Sequence, residues 1–181
     1  MLNRAWILLV ALSTSTPLVA QSRRVEVSAG LAVPIEILGT HRSAGPLLRL
    51  SLPAGSSSRV ARARFDVEAM LMPGTPAPSR SAEATGDVRS VGAMANLVIG
   101  PPRPRVAPYV ILGAGLHALN IAGAPPVSYV GGVRAGLGIR IATARFQFSL
   151  ESAAHLNLSE RATGQNFRPG SFVPISVGIA F

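Results

Sequence analysis

His155 is the residue in this chain best suited by type to acid–base chemistry. It is separated by even numbers of residues from Glu151 and Asn157, so an extended strand would place all three side chains on one face. A histidine near a carboxylate is a common arrangement for proton transfer in catalysis. The other two histidines, His41 and His117, are distant in sequence, and the three together match no metal-ligand spacing. Because the chain also has no cysteine, the sequence predicts no metal site, no cofactor and no disulfide.

A second group of chemically capable residues lies in the alternating stretch from Ala61 to Leu71. The charged members share one face of an extended strand, and they are Arg62, Arg64, Asp66 and Glu68. A row of mixed charges is typical either of an ion path or of a packed salt-bridge network. Arginine favours the network, because its planar guanidinium group can bind carboxylates at two places at once.

The elements that position these residues are β-strands. Apolar side chains recur at every second position in eight segments, which are residues 24–33, 48–52, 61–71, 90–99, 109–119, 129–140, 145–157 and 171–181. This period of two predicts strands, and no helical period competes with it. The fifth segment is apolar on both faces; there we expect Val110, Leu112, Ala114 and Leu116 to point outward and His117 inward. The connections are predicted to alternate, long after odd-numbered strands and short after even-numbered ones.

The chain ends on an alternating strand whose last residue is aromatic. Phe181, Ile179 and Val177 share its apolar face, opposite small residues such as Gly178. This ending resembles the closing strand of bacterial outer-membrane β-barrel proteins, where it acts as a signal for the barrel-assembly machinery. The resemblance is to the small eight-stranded members of that family and extends over residues 21–181. It implies an all-β fold: a closed antiparallel eight-stranded transmembrane β-barrel, preceded by a signal peptide.

The N-terminal residues are typical of a secretory signal peptide. Arg4 precedes a short apolar core, and Ala20 is a small residue where cleavage is expected. The core is too short to cross about 30 Å of hydrocarbon as a helix. We therefore expect residues 1–20 to be a signal peptide and residues 21–181 to form the barrel domain in a Gram-negative-type outer membrane. An uncleaved anchor is the alternative.

The arrangement of the basic residues argues against one class of partner, nucleic acid. The formal net charge is +9, and arginine carries all of the positive charge because the chain has no lysine. The arginines are scattered along the chain, without a basic run or an aromatic stacking motif, so the sequence predicts no nucleic-acid partner.

In a membrane the apolar strand faces would contact lipid and the charged faces would fill the lumen. The lumen residues predicted on this basis are Arg62, Arg64, Asp66, Glu68, Arg134, Arg140, Glu151 and His155. The lumen of an eight-stranded barrel is just wide enough for side chains to fill, and glycines on the inner face of the sixth strand would leave room for long arginines. The alternative is a soluble, lipocalin-like barrel, which would turn the apolar faces inward. Few aromatic residues lie near strand ends to form membrane girdles, and they are Tyr109, Tyr129, Phe146, Phe167, Phe172 and Phe181.

The resemblance implies a non-enzymatic scaffold whose outer loops contact surfaces, lipopolysaccharide or other proteins. A narrow porin-like channel is an alternative. The outer-membrane lipid A deacylases are barrels of similar size that use a histidine, a serine two residues later and an acidic residue. Here the residue two positions after His155 is Asn157, which lacks the nucleophile. The sequence therefore predicts no catalytic residues, and a lipid A-modifying enzyme is a distant alternative.

Overall fold

The computed structural model describes residues 24–34, 43–54, 60–74, 87–101, 105–121, 127–158 and 172–181. Within them, eight antiparallel strands follow one another in sequence order and close into a barrel. The strands are β1 (Glu26–Pro34), β2 (Gly45–Ala54), β3 (Ala61–Met72), β4 (Val88–Ile99), β5 (Val106–Ile121), β6 (Ser128–Ala142), β7 (Gln147–Asn157) and β8 (Phe172–Ala180). The predicted all-β, eight-stranded fold is confirmed. None of the described residues belongs to a helix long and apolar enough to cross a membrane, and the predicted signal peptide lies outside the described residues.

The first and last strands close the barrel. β1 pairs with β8 in antiparallel register, with Val27 opposite Ile179 and Ala29 opposite Val177. The Phe181 amide then donates a hydrogen bond of 3.2 Å to the Val25 carbonyl oxygen. Closure leaves no unpaired strand edge, which is what a β-sheet needs in order to lie in hydrocarbon.

The two faces of each strand differ in chemistry, and the apolar face points outward. Leu48, Leu116 and Leu137 are 60%, 64% and 67% exposed on the outer wall. Arg134, Asp66 and other charged residues are buried inside. The favoured orientation of the fifth strand is confirmed, because Leu112 is exposed whereas His117 is buried. The expectation from a soluble barrel, that the leucines of the strands turn inward, is wrong for these strands.

Two predictions about strand ends are wrong. The connection after β5 covers only residues 122–127, as short as the connection 55–60 after β2. The ladder between β5 and β6 is longer than the sequence predicted, since Val106 already pairs with Ile141 and Leu119 still pairs with Ser128. This extension also shortens the proline-rich turn before β5 to residues 100–105.

Two of the predicted girdle aromatics lie inside the barrel. Tyr109 and Phe172 are buried, 6% and 1% exposed. Both fall on the inward phase of their strands. A position near a strand end predicts a girdle residue, but alternation decides which face a side chain lies on. Tyr129, Phe146 and Phe181 are exposed, as expected, and Phe167 lies outside the described residues.

Apolar side chains fill the lumen at the end opposite Glu26 and Phe181, which we call the distal end. This distal cap consists of Ala32, Leu47, Met70, Met72, Val88, Leu119, Val130 and Phe172. Each cap residue is at most 6% exposed. The charged residues therefore lie in the middle of the barrel, beneath an apolar layer.

Candidate functional site

The centre of the lumen holds an ion-pair network of three arginines and three carboxylates. Its members come from β2, β3, β6 and β7, and they are Arg49, Arg64, Arg134, Asp66, Glu68 and Glu151. Five of the six side chains are at most 3% exposed, and that of Arg64 is 12% exposed. Burying charges is costly unless they are paired and hydrogen-bonded. The equal numbers of opposite charges meet that requirement.

Asp66 is the centre of one half of this network. Its carboxylate accepts hydrogen bonds of 3.0 Å from Arg64 Nη2, from Arg134 Nη1 and from the Asn96 side-chain amide. The neighbouring Glu68 carboxylate binds Arg49 Nε at 3.2 Å and also Arg134 Nη2. Arg134 therefore joins two carboxylates of β3 from the opposite side of the lumen.

Glu151 is the centre of the other half. Its Oε2 accepts hydrogen bonds from Arg49 Nη1 at 2.7 Å and from Arg64 Nη2 at 3.0 Å. Its Oε1 accepts a 2.7 Å hydrogen bond from the Tyr109 hydroxyl and contacts Arg64 Nη1. One carboxylate on β7 thus ties together side chains from β2, β3 and β5.

A glycine between Tyr109 and Glu151 makes their contact possible. Gly138 pairs with Tyr109 on one side and with Glu151 on the other. A Cβ atom at Gly138 would lie 2.3 Å from the Tyr109 ring. The tyrosine therefore lies across the bare backbone of β6. The inner glycines of β6 were expected to make room for arginine, but at this position the space is used by Tyr109.

The proximal end, where β1 begins and β8 ends, holds charged residues outside the network. The Ser149 hydroxyl donates a 2.6 Å hydrogen bond to Glu26 Oε1. Arg140 Nη2 donates a 3.1 Å hydrogen bond to the Pro101 carbonyl oxygen. Arg62 is half-buried and forms no ion pair with any described residue. The structure thus brings Arg64, Asp66, Glu68, Arg134 and Glu151 together, whereas Arg62 and Arg140 lie apart from them.

Two histidines converge beneath the distal cap. The rings of His117 and His155 are 5.1 Å apart and nearly perpendicular. His155 stacks on Phe172 of the cap, with ring centroids separated by 4.6 Å. Glu68 faces both, with its Oε1 atom 3.4 Å from His155 Nε2 and 3.7 Å from His117 Nε2. We call Glu68, His117 and His155 the histidine cluster.

A second glycine shapes this cluster. Gly92 on β4 pairs with Glu68 on one side and with His117 on the other. A Cβ atom at Gly92 would lie 2.3 Å from His117 Nδ1. The His117 ring therefore lies over β4, where Nδ1 is 3.3 Å from the Ser90 hydroxyl and Nε2 points towards Glu68.

Sequence reasoning missed several residues of the lumen. Arg49 was not assigned to the network, although the alternation that turns Leu48 and Leu50 outward also turns Arg49 inward. The predicted girdle position of Tyr109 is wrong, because its side chain is buried in the lumen against Glu151. The convergence of His117 with His155 had no signal in the spacing along the chain, because it depends on how β5 and β7, which do not pair with each other, are staggered across β6.

No protein-family model and no curated protein sequence matches the chain. Solved structures do match it. Neisserial surface protein A is 17% identical, with a TM-score of 0.60, over 87% of this chain and 94% of that one. The chain has the fold of the small outer-membrane β-barrels.

Two further structures agree with this fold at lower identity. A major outer membrane protein from Thermus thermophilus is 12% identical, with a TM-score of 0.51, over 89% of this chain and 99% of that one. The outer membrane enzyme PagL is 15% identical, with a TM-score of 0.50, over 86% of this chain and 98% of that one. Proteins with this fold therefore include both a surface protein and an enzyme. The function of this chain depends on the chemistry of its own lumen and outer wall.

Proposed function

We propose that this protein is a non-enzymatic barrel of the outer membrane, with a closed lumen, and that its distal connections contact lipopolysaccharide or surface partners. The observation that carries the proposal is the reversal of faces: leucines on the outer wall, and a balanced ion-pair network inside. Exposing such a wall to water would cost free energy, because burial of apolar surface is the main driving force for folding in water. In lipid the leucines would contact hydrocarbon, and this cost would be absent.

The membrane location is tested by fractionating cells that express the full chain. We expect the protein in the outer-membrane fraction, and we expect its folded form to migrate differently on a gel before and after boiling. Recovery from the soluble periplasm would contradict the proposal.

Replacing Phe181 with serine tests the proposed recognition by the barrel-assembly machinery, and we expect less folded barrel in the membrane. Phe148→Ser, also on the outer wall, is the matched control for loss of an exposed aromatic side chain.

The lumen is proposed to be closed to ions. The distal cap leaves its residues at most 6% exposed, and the network beneath it spans the lumen from β2 and β3 to β6 and β7. We expect no conductance when the purified barrel is added to planar bilayers. A steady conductance that changes with Arg64→Ala would instead support the narrow-pore alternative.

The absence of enzyme activity is proposed from the place of His155. This side chain is 0% exposed and stacks on Phe172 inside the barrel, so a lipid on the outer wall has no contact with it. Lipid A extracted from cells with and without the protein should give the same mass spectrum. A loss of acyl chains that depends on His155 would contradict the proposal.

The surface partners are proposed to bind the connections at the distal end, which cover residues 35–44, 73–87, 122–127 and 158–171. A barrel whose residues 75–86 are replaced by a short glycine-serine turn should bind immobilised lipopolysaccharide more weakly than the parent. Replacing residues 143–146 at the proximal end is the matched control. Equal binding by all three proteins would contradict a role for this connection.

A further inference from the structure

We propose that Glu68, His117 and His155 form a binding site for a divalent transition-metal ion of the zinc class inside the barrel. This inference rests on the positions of side chains in the lumen and not on the function proposed above. The three residues come from β3, β5 and β7, which are alternate strands of the barrel. A shared ion would therefore connect walls of the lumen that share no backbone hydrogen bonds.

The donor atoms of the three residues have the spacing of zinc ligands. One potential ligand atom from each residue lies within 4.8 Å of the other two. The Glu68 Oε1 atom is 3.4 Å from His155 Nε2 and 3.7 Å from His117 Nε2. Ligands at the zinc distances of roughly 2.0–2.1 Å are separated by about 3.3 Å in a tetrahedral site. Two imidazoles and one carboxylate are a recurrent zinc donor set, with water as the fourth ligand.

The three proposed ligand atoms also lack hydrogen-bond partners among the described residues. Glu68 Oε1, His117 Nε2 and His155 Nε2 are all buried and accept or donate no hydrogen bond among the described residues. Buried polar atoms are seldom left unpaired, since each costs free energy. Here three such atoms lie within 4.8 Å of one another, and a metal ion would satisfy all three at once.

Surrounding residues orient two of the three proposed ligands, His117 and Glu68. The Ser90 hydroxyl lies 3.3 Å from His117 Nδ1, which directs Nε2 inward. Arg49 and Arg134 hold Glu68 by its other oxygen, Oε2, and leave Oε1 facing the histidines. Partners of this kind fix the ligand orientation in metal sites. The same two arginines share the negative charge of Glu68, so we expect moderate rather than very tight affinity.

The test uses the untagged full chain, folded into detergent micelles with and without zinc chloride. We expect one zinc ion per folded barrel after dialysis, and none per urea-unfolded chain. Cobalt(II) should give visible absorption bands of four-coordinate intensity. Because the distal cap covers the site, we expect zinc to bind faster when it is present during folding than when it is added to the folded barrel. A large excess of calcium should not displace zinc, since calcium prefers oxygen ligands.

Variants separate the proposed site from incidental binding. His117→Gln and His155→Gln should each weaken zinc binding by at least about tenfold, the size of loss seen even for residues that only orient metal ligands. His41→Gln, which changes the remaining histidine, should bind zinc as the parent does. If the ligand variants do not fold, Ser90→Ala provides the test, with an expected loss of about tenfold. Absence of stoichiometric zinc, displacement by calcium, or loss of binding in His41→Gln alone would overturn the proposal.

Discussion

The outer wall and the lumen of this barrel are made by the same eight strands, yet different interactions determine their composition. The wall carries leucine, valine and phenylalanine without any need for specific partners. In the lumen, each charged group of the network meets an opposite charge at a defined distance. A substitution on the wall should therefore be judged by its transfer into lipid, and one in the lumen by the partners it leaves unpaired.

The lumen itself has two levels that reinforce this comparison. The distal cap is apolar and packs Phe172 against His155. The network below it is held by Arg49, Arg134 and their carboxylates. A charge left without its partner at a buried position is costly. We therefore expect the network to tolerate single substitutions less well than the distal cap does.

The largest effect is expected for Glu151→Gln in the lumen. Glu151 is 3% exposed and binds Arg49, Arg64 and Tyr109. Its neutralisation leaves arginine charge uncompensated, and breaking a buried ion pair costs about 3–5 kcal/mol. Urea unfolding of the barrel in lipid vesicles measures this loss. Glu160→Gln, in the connection between β7 and β8, is the matched control, and an equal loss in both variants would contradict a special role for the network.

A smaller effect is expected for Leu112→Arg on the outer wall. Leu112 is 46% exposed and lies near the middle of β5. Arginine on the lipid face costs about 2–4 kcal/mol at the midplane and about 0–1 kcal/mol near the interface. Ile141→Arg, at the proximal end of β6, should therefore have little effect in the same unfolding experiment. If both variants were as stable as the parent, the wall would not be in lipid.

The smallest effect is expected for Tyr109→Phe, which removes one hydroxyl from the lumen. That hydroxyl donates a 2.7 Å hydrogen bond to Glu151, and a hydrogen bond to a charged group contributes about 1.5–3 kcal/mol. Tyr129→Phe makes the same change on the outer wall, where the side chain is 79% exposed, and we expect a change below about 0.5 kcal/mol. Equal stabilities of the two variants would mean that the Tyr109 hydroxyl has no structural role.

Much of the fold could be predicted from the sequence, because a period of two specifies both a strand and its faces. Alternation predicted that Arg64, Asp66 and Glu68 share one face, and the resemblance to outer-membrane barrels predicted that this face lines the lumen. The phase of β5 was predicted from the leucines at positions 112 and 116. Strand ends were less predictable. Val106 joins β5 through its pairing with Ile141, and no local signal marks that pair.

The contacts across the lumen could not be predicted from alternation. Which inward residues meet depends on the stagger of the strands around the barrel. Glu68 reaches His117 across the bare backbone of Gly92, and Tyr109 reaches Glu151 across Gly138 in the same way. In both cases an inward glycine lies on the strand that separates the two strands carrying the long polar residues. Such a glycine, once the strand register is known, is the feature that indicates each contact.

The orientation of the strand faces is the central claim, and the lack of cysteine allows it to be tested directly. Single cysteines at Leu112, Leu116, Leu137 and Leu150 would each carry a nitroxide spin label on the outer wall of the barrel in lipid vesicles. We expect every label to collide often with oxygen, which concentrates in hydrocarbon, and rarely with a water-soluble nickel complex. Frequent collisions with nickel at all four positions would contradict the account, because the leucine wall would then face water.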